Sequence, residues 1–258
     1  MIKKTNLFFS TLLLIFLSFN IYTQETEAKQ EIEQKTEETN KADQTEVLTK
    51  VPSDFGFYFG TEIILSSLKK RVSQPFSTAL NFGAEYEYKG IKYFSIVPSL
   101  DFSIFYYSLL NQKAYICEIE NRTGLAMSLL LDTPFMARFD IKSCTISIGG
   151  GLAFFIRYAL LAPGINPSAS GSGGLSTAAE LKEINKYFWQ KGRFFYPSLR
   201  FKTEYTFTSG WKTGLQIKTF FPLSNAWDNT ASKWTDGLII QAGVVLHPPV
   251  KKTITRHQ

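Results

Sequence analysis

The chain has 258 residues, 44% hydrophobic and 15% aromatic, with a formal net charge of +6, two cysteines and two histidines. So few cysteines and histidines, with no cluster at ligand spacing, exclude a structural zinc or haem site, and no cofactor or metal is expected. Lysine and arginine are scattered rather than clustered with stacking aromatics, which excludes a nucleic-acid partner and favours attraction to anionic lipid or glycolipid head groups.

Residues 1–23 begin with Lys3 and Lys4 and continue through an apolar run over residues 7–19. That run is shorter than the ~18–20 residues of a spanning helix, so it reads as a signal peptide. No cysteine follows until Cys117, so no N-terminal lipid anchor is expected. Residues 24–50 hold eight acidic and four basic side chains and almost no large apolar ones. Such a segment buries too little surface to offset its ordering entropy and is expected to be a disordered periplasmic tether.

Residues 51–258 form the remaining domain, with a short basic tail at its end. Strands are expected at about 54–65, 76–88, 92–107, 115–131, 138–160, 193–208, 211–223 and 236–247, because apolar and polar residues alternate through each. From Trp211 to Leu223 the odd positions read Trp, Thr, Leu, Ile, Thr, Phe, Leu, while the even ones are largely polar or small. Tight turns are expected at Lys89-Gly90, Asp132-Thr133-Pro134 and Ser209-Gly210, and longer loops alternate with them. Pro248-Pro249 stops the last strand. Cys117 and Cys144 fall at different heights on neighbouring strands and read as isolated small apolar residues.

Strand polarity separates two architectures. A soluble lipocalin-like binding barrel would turn its apolar side inward around a ligand. Here Thr145, Ser147, Gly149, Gly151 and Ala153 make one small face, opposite Ile146, Ile148, Leu152, Phe154, Ile156 and Tyr158. Bulk of that kind, summed over eight strands, does not fit inside, so it is expected to face lipid. Aromatics gather near strand ends, where ring and polar tip straddle the head-group boundary.

This layout resembles the eight-stranded bacterial outer-membrane barrels of the OmpA transmembrane domain, OmpX and OmpW kind. The likeness covers about residues 54–247 and lies in alternation and loop lengths, not in a shared motif. It implies an all-β, antiparallel, up-and-down transmembrane β-barrel with short periplasmic turns, long extracellular loops and periplasmic chain ends. It also implies contact with outer-membrane lipid or glycolipid, and with the barrel assembly machinery during biogenesis.

The alternation places Glu62, Glu85, Glu87, Asp101, Glu118, Glu120 and Glu204 on the lumen side with Arg122, Arg157, Arg200, Lys202, Lys212 and Lys218. Near-balance of this kind suits a charge-plugged narrow lumen, because an unpaired buried charge is costly. The expected function is a structural or minor channel-type surface protein, with a porin-like path only if that network rearranges. The histidines are His247 and His257, both expected at the periplasmic end or beyond it, so no Ser–His pair is expected at the outer rim and the chain is expected not to be an enzyme.

Two loops offer an alternative, an adhesin or host- or envelope-ligand-binding role. In residues 162–192, Thr177-x-x-Glu180 has the form of a capping box that opens a helix through about Trp189. Leu181, Ile184 and Phe188 line one side of it, and Trp189 adds an aromatic surface. Residues 224–235 carry Trp227 and Trp234.

Overall fold

The computed structural model describes residues 45–65, 76–171, 174–226 and 236–256. The expected leader, most of the acidic segment, Trp227 and Trp234 lie outside them. The chain divides into two compact units, residues 50–252 and a unit drawn from the two chain ends. At those ends Thr45–Pro52 (β1) pairs with Pro249–Arg256 (β13) in a two-stranded sheet of its own. Strand order thus resumes two residues after His247, where the proline pair ends the barrel's last strand.

The barrel is built from β2 (Phe55–Leu65), β3 (Phe76–Tyr86), β4 (Tyr88–Ile91), β5 (Phe94–Ile96), β6 (Ser99–Leu110), β7 (Lys113–Ile116), β8 (Gly124–Ile141), β9 (Cys144–Leu161), β10 (Phe195–Thr206), β11 (Lys212–Phe220) and β12 (Ile239–His247). β4 continues β3 past Glu87, and β5 leads into β6 through Val97-Pro98, so eight antiparallel staves result. The sheet closes through the β12–β2 and β6–β8 ladders.

Side-chain polarity is that of a transmembrane barrel. Leu215, Phe59 and Leu199 are 62%, 60% and 56% exposed, whereas Arg200 and Lys218 on the same staves are 1% and 0% exposed. The short-turn end carries an outward ring of Phe55, Phe57, Tyr86, Tyr88, Tyr93, Phe94, Phe139, Tyr205, Phe207 and Trp211. At the other end the expected ring is thinner, because Tyr107, Tyr115 and Phe220 turn inward. Leu238 also points inward, ahead of the alternation in β12.

Two turns differ from expectation. Asp132-Thr133-Pro134 is not a turn: β8 runs straight through it, and the hairpin closes at Lys142-Ser143, with Ile141 opposite Cys144. Pro134 lacks an N–H, but it faces the Val97-Pro98 break between β5 and β6, where the neighbouring ladder is itself interrupted. The second turn falls at Lys92-Tyr93, with Gly90 inside β4. Gly149 and Gly151 sit where β8 and β9 are pressed together: a Cβ on either would collide with the carbonyl oxygens of Phe135 and Thr133. Both cysteines are free.

Candidate functional site

The lumen is layered. At its short-turn end and centre lies a lattice of ion pairs. β10 alternates Ser198, Arg200, Lys202 and Glu204 inward, and these meet Glu85 of β3 across the bore, Asp132 of β8 two strands away and Lys212 of the adjacent β11. Arg200 donates to Asp132 Oδ2 at 2.8 Å, Glu85 Oε2 at 3.3 Å and Ser99 Oγ at 2.6 Å. Lys202 Nζ lies 2.9 Å from Glu85 Oε1 and 3.2 Å from Glu204 Oε2. Lys212 joins Glu204 at 2.7 Å to Glu87 at 3.1 Å. Lys218 holds Asp101 at 2.7 Å and lies over the Tyr58 ring, 4.7 Å from its centroid. Glu62 has no basic partner among the described residues and is held by Gln241 at 2.7 Å and Asn81 at 3.1 Å.

His247 belongs to this lattice. Its Nδ1 is 3.0 Å from the Ser53 carbonyl, and its Nε2 is 3.0 Å from Glu204 Oε1 and 3.5 Å from Glu85 Oε1. Both ring nitrogens face acceptors, a pattern that a ring carrying both protons satisfies. Glu85, Glu204 and His247 bring one ligand atom each within 4.8 Å of one another. The two carboxylates already share the Lys202 ammonium, however, so a divalent ion would have to displace it. The trio is better described as part of the ion-pair lattice.

Above the lattice lies an apolar plug. The helix Thr177–Trp189 (α1) is capped by Ser176, whose Oγ accepts from the Ala179 N–H at 3.3 Å. The cap is therefore one residue earlier than the Thr177 box. Glu180 accepts from Thr123 Oγ1 at 2.8 Å, and the Asn185 amide pairs with the Ala159 N–H and carbonyl at 2.8 and 2.9 Å, in place of a neighbouring strand. These bonds seat the helix in the barrel mouth. Ile184 and Phe188 are buried with Phe105, Tyr107, Phe155 and Tyr196, and Leu181 packs against them. Leu181, Ile184 and Phe188 are therefore packing residues and not an exposed binding surface. Trp189 stays exposed, 5.8 Å from the Phe194 ring.

A cavity of about 70 Å³ opens beside this plug, lined by Tyr107, Tyr115, Tyr187, Tyr196, Arg157 and Arg193 among others. The Arg157 guanidinium lies 4.5 Å from both the Phe155 and Phe188 ring centroids and donates to the Arg193 carbonyl at 2.8 Å. Burial pushes the Tyr187 hydroxyl above its ordinary range.

Ten of the thirteen charges expected in the lumen point into it. Glu118, Glu120 and Arg122 do not. The strand expected over 115–131 is broken there by a one-turn 3-10 helix over Ile119–Asn121, which swings these side chains to the long-loop rim. Asp132, His247, Ser99 and Glu180 were missed: Asp132 was hidden in a turn-like tripeptide, while the inward phase of β12 marks His247.

Closed eightfold pairing with hydrocarbon outside and ion pairs within decides the class. The chain folds as an eight-stranded, antiparallel transmembrane β-barrel. No known family profile matches it, and neither does any curated protein sequence. Among solved structures it is similar to the outer membrane enzyme PagL, at 12% identity over 75% of this chain and 99% of that one, with a TM-score of 0.32. It is also similar to Ail, the attachment invasion locus protein of Yersinia pestis, solved with the heparin analogue sucrose octasulfate, at 6% identity over 76% of this chain and 96% of that one, with a TM-score of 0.34.

The expectation that the barrel is not an enzyme does not stand. An outer membrane enzyme is among the structures it matches. His247 does lie at the short-turn end, opposite Lys212, but there it is buried between two carboxylates.

Proposed function

We propose that this barrel is sealed to ions and binds an anionic group, such as a phosphate on a sugar or lipid head, in the cavity at its long-loop mouth. The observation that carries the reading is Arg157. Its guanidinium is buried, no carboxylate among the described residues lies within ion-pair distance, and its Nε has no hydrogen-bond partner. A buried cation in that state is costly, and an anion entering the cavity offsets the cost. The Tyr107 and Tyr196 hydroxyls lie against the same guanidinium and line the same cavity, so an entering anion meets phenol and guanidinium donors together.

The reading includes an orientation. A leader over 1–23 exports the chain, residues 24–50 stay in the periplasm with the short turns, and the plugged mouth faces outward. Phe105, Tyr107, Phe155 and Phe188 across the mouth, with the ion pairs below, favour a closed bore over a porin-like path. Titrating the full chain in detergent with glucose 1-phosphate, against glucose as control, tests the binding. Wild type is expected to bind the phosphate ester alone, and Arg157→Met to weaken it by at least about tenfold, as for a charge-assisted contact. Equal binding by the variant would sink the proposal.

A further inference from the structure

The barrel wall has a notch. β3 and β6 pair only from Asn81 opposite Ser103 to Glu85 opposite Ser99. Above that level β6 pairs instead with β7, from Tyr107 opposite Ile116 to Leu110 opposite Lys113, and Cys117 N–H donates to the Tyr106 carbonyl. Among the described residues, β3 above Asn81 has β2 as its one ladder partner. A groove of about 670 Å³ fills the gap. Its walls are Thr78, Ala79, Leu80 and Phe82 on one side and Phe102, Ile104, Phe105 and Tyr106 on the other. That volume lies in the ~300–1,000 Å³ range of small-molecule sites.

Three observations identify the occupant. First, the groove is continuous with the lipid-facing surface, since Leu80, Phe82 and Ile104 are all exposed on the outer wall. At its floor it reaches Phe105 and Ile116, which belong to the interior core, so it is deeper than a surface crease. Second, Leu80, Phe82, Phe102 and Ile104 make its walls largely apolar, which suits an apolar occupant. Third, the rim is acidic: Glu118 and Glu120 line the groove's upper end, while Arg122 stands just beyond, 5.3 Å from the Tyr106 ring. Acids at the mouth and a cation behind them complement a zwitterionic head with its amine leading.

We propose that the β3–β6 notch is a docking groove for one acyl chain of an amine-headed phospholipid drawn from the surrounding leaflet, with the ammonium at Glu118 and Glu120. The chain lies between Leu80 and Ile104. The proposal does not depend on the anion cavity.

Native mass spectrometry of the detergent-solubilised full chain tests it, with phosphatidylethanolamine or phosphatidylglycerol of identical acyl composition as probe. The expected result is one retained phosphatidylethanolamine, preferred about fivefold over phosphatidylglycerol, as two partly exposed ion pairs allow. Ala79→Trp, which fills the groove, should abolish retention, whereas Leu215→Trp on the outer wall of β11 should not. Glu118→Gln with Glu120→Gln should keep the lipid and erase the head-group preference. A phosphatidylethanolamine with a photoreactive acyl chain checks wild type without any variant, and its crosslinks should fall in residues 78–82 and 102–120. No retained lipid, a preference for phosphatidylglycerol, retention indifferent to Ala79→Trp, or crosslinks spread evenly around the barrel would overturn the assignment.

Discussion

Arg200 holds the centre of the ion-pair lattice, and replacing it with Met should cost several kcal/mol. The side chain is fully buried and makes three polar contacts, with Asp132 at 2.8 Å, Ser99 at 2.6 Å and Glu85 at 3.3 Å. Glu85 keeps Lys202 at 2.9 Å after the change, but Asp132 retains only the Ser198 hydroxyl at 2.7 Å. Stranding one carboxylate in this way costs about 3–5 kcal/mol. Asp132→Asn in the same molecule removes the stranded charge, so Arg200→Met with Asp132→Asn should be more stable than the sum of the single losses by about 1–3 kcal/mol. Urea unfolding in phospholipid bilayers, followed by tryptophan fluorescence, measures all four proteins. As a reference, Lys186→Ala breaks the exposed Lys186–Glu183 pair and should cost under about 1 kcal/mol. A loss below about 1 kcal/mol for Arg200→Met, or strict additivity in the double variant, would refute the lattice as a stabilising unit.

Other expectations follow from single positions. Phe188→Ala should destabilise the barrel by about 3–5 kcal/mol in the same assay, because it empties an aromatic site in the apolar plug. Ile148→Arg should cost about 2–4 kcal/mol, since Ile148 faces lipid on β9; a neutral result would place it elsewhere. In planar bilayers wild type should pass no unitary current, and a steady ohmic conductance would contradict a sealed bore. Burial pushes the Cys117 thiol up to about 12, so its alkylation should still be rising at about pH 11, where an ordinary thiol of pKa about 8.5 has levelled off.

Most of the barrel was legible because a strand in its wall cannot hide its phase. The small inward set Thr145, Ser147, Gly149, Gly151 and Ala153 was fixed by alternation alone, and so was the inward placing of Arg200, Lys202 and Glu204. Legibility failed where a local signal competed with the ladder. Asp132-Thr133-Pro134 has turn chemistry, yet Pro134 is tolerated in a strand because its neighbour breaks at Pro98, a coincidence between residues 36 apart. Glu118, Glu120 and Arg122 follow the alternation in sequence, but a 3-10 turn resets the phase. The helix was legible from its cap and its Leu181, Ile184 and Phe188 spacing; that this face fills the mouth was not, because nothing local says which surface an apolar stripe meets. The mouth cavity and the β3–β6 notch depend on distant pairings and left no trace in any single window.

The direction of the side chains on β10 tests the account most directly. Nitroxide labels placed singly from Leu199 to Glu204, in bilayers, should alternate: oxygen accessibility high at Leu199, Phe201 and Thr203, low at Arg200, Lys202 and Glu204. The opposite phase, or no alternation at all, would contradict a barrel that turns its hydrocarbon to the membrane and its charges to the bore.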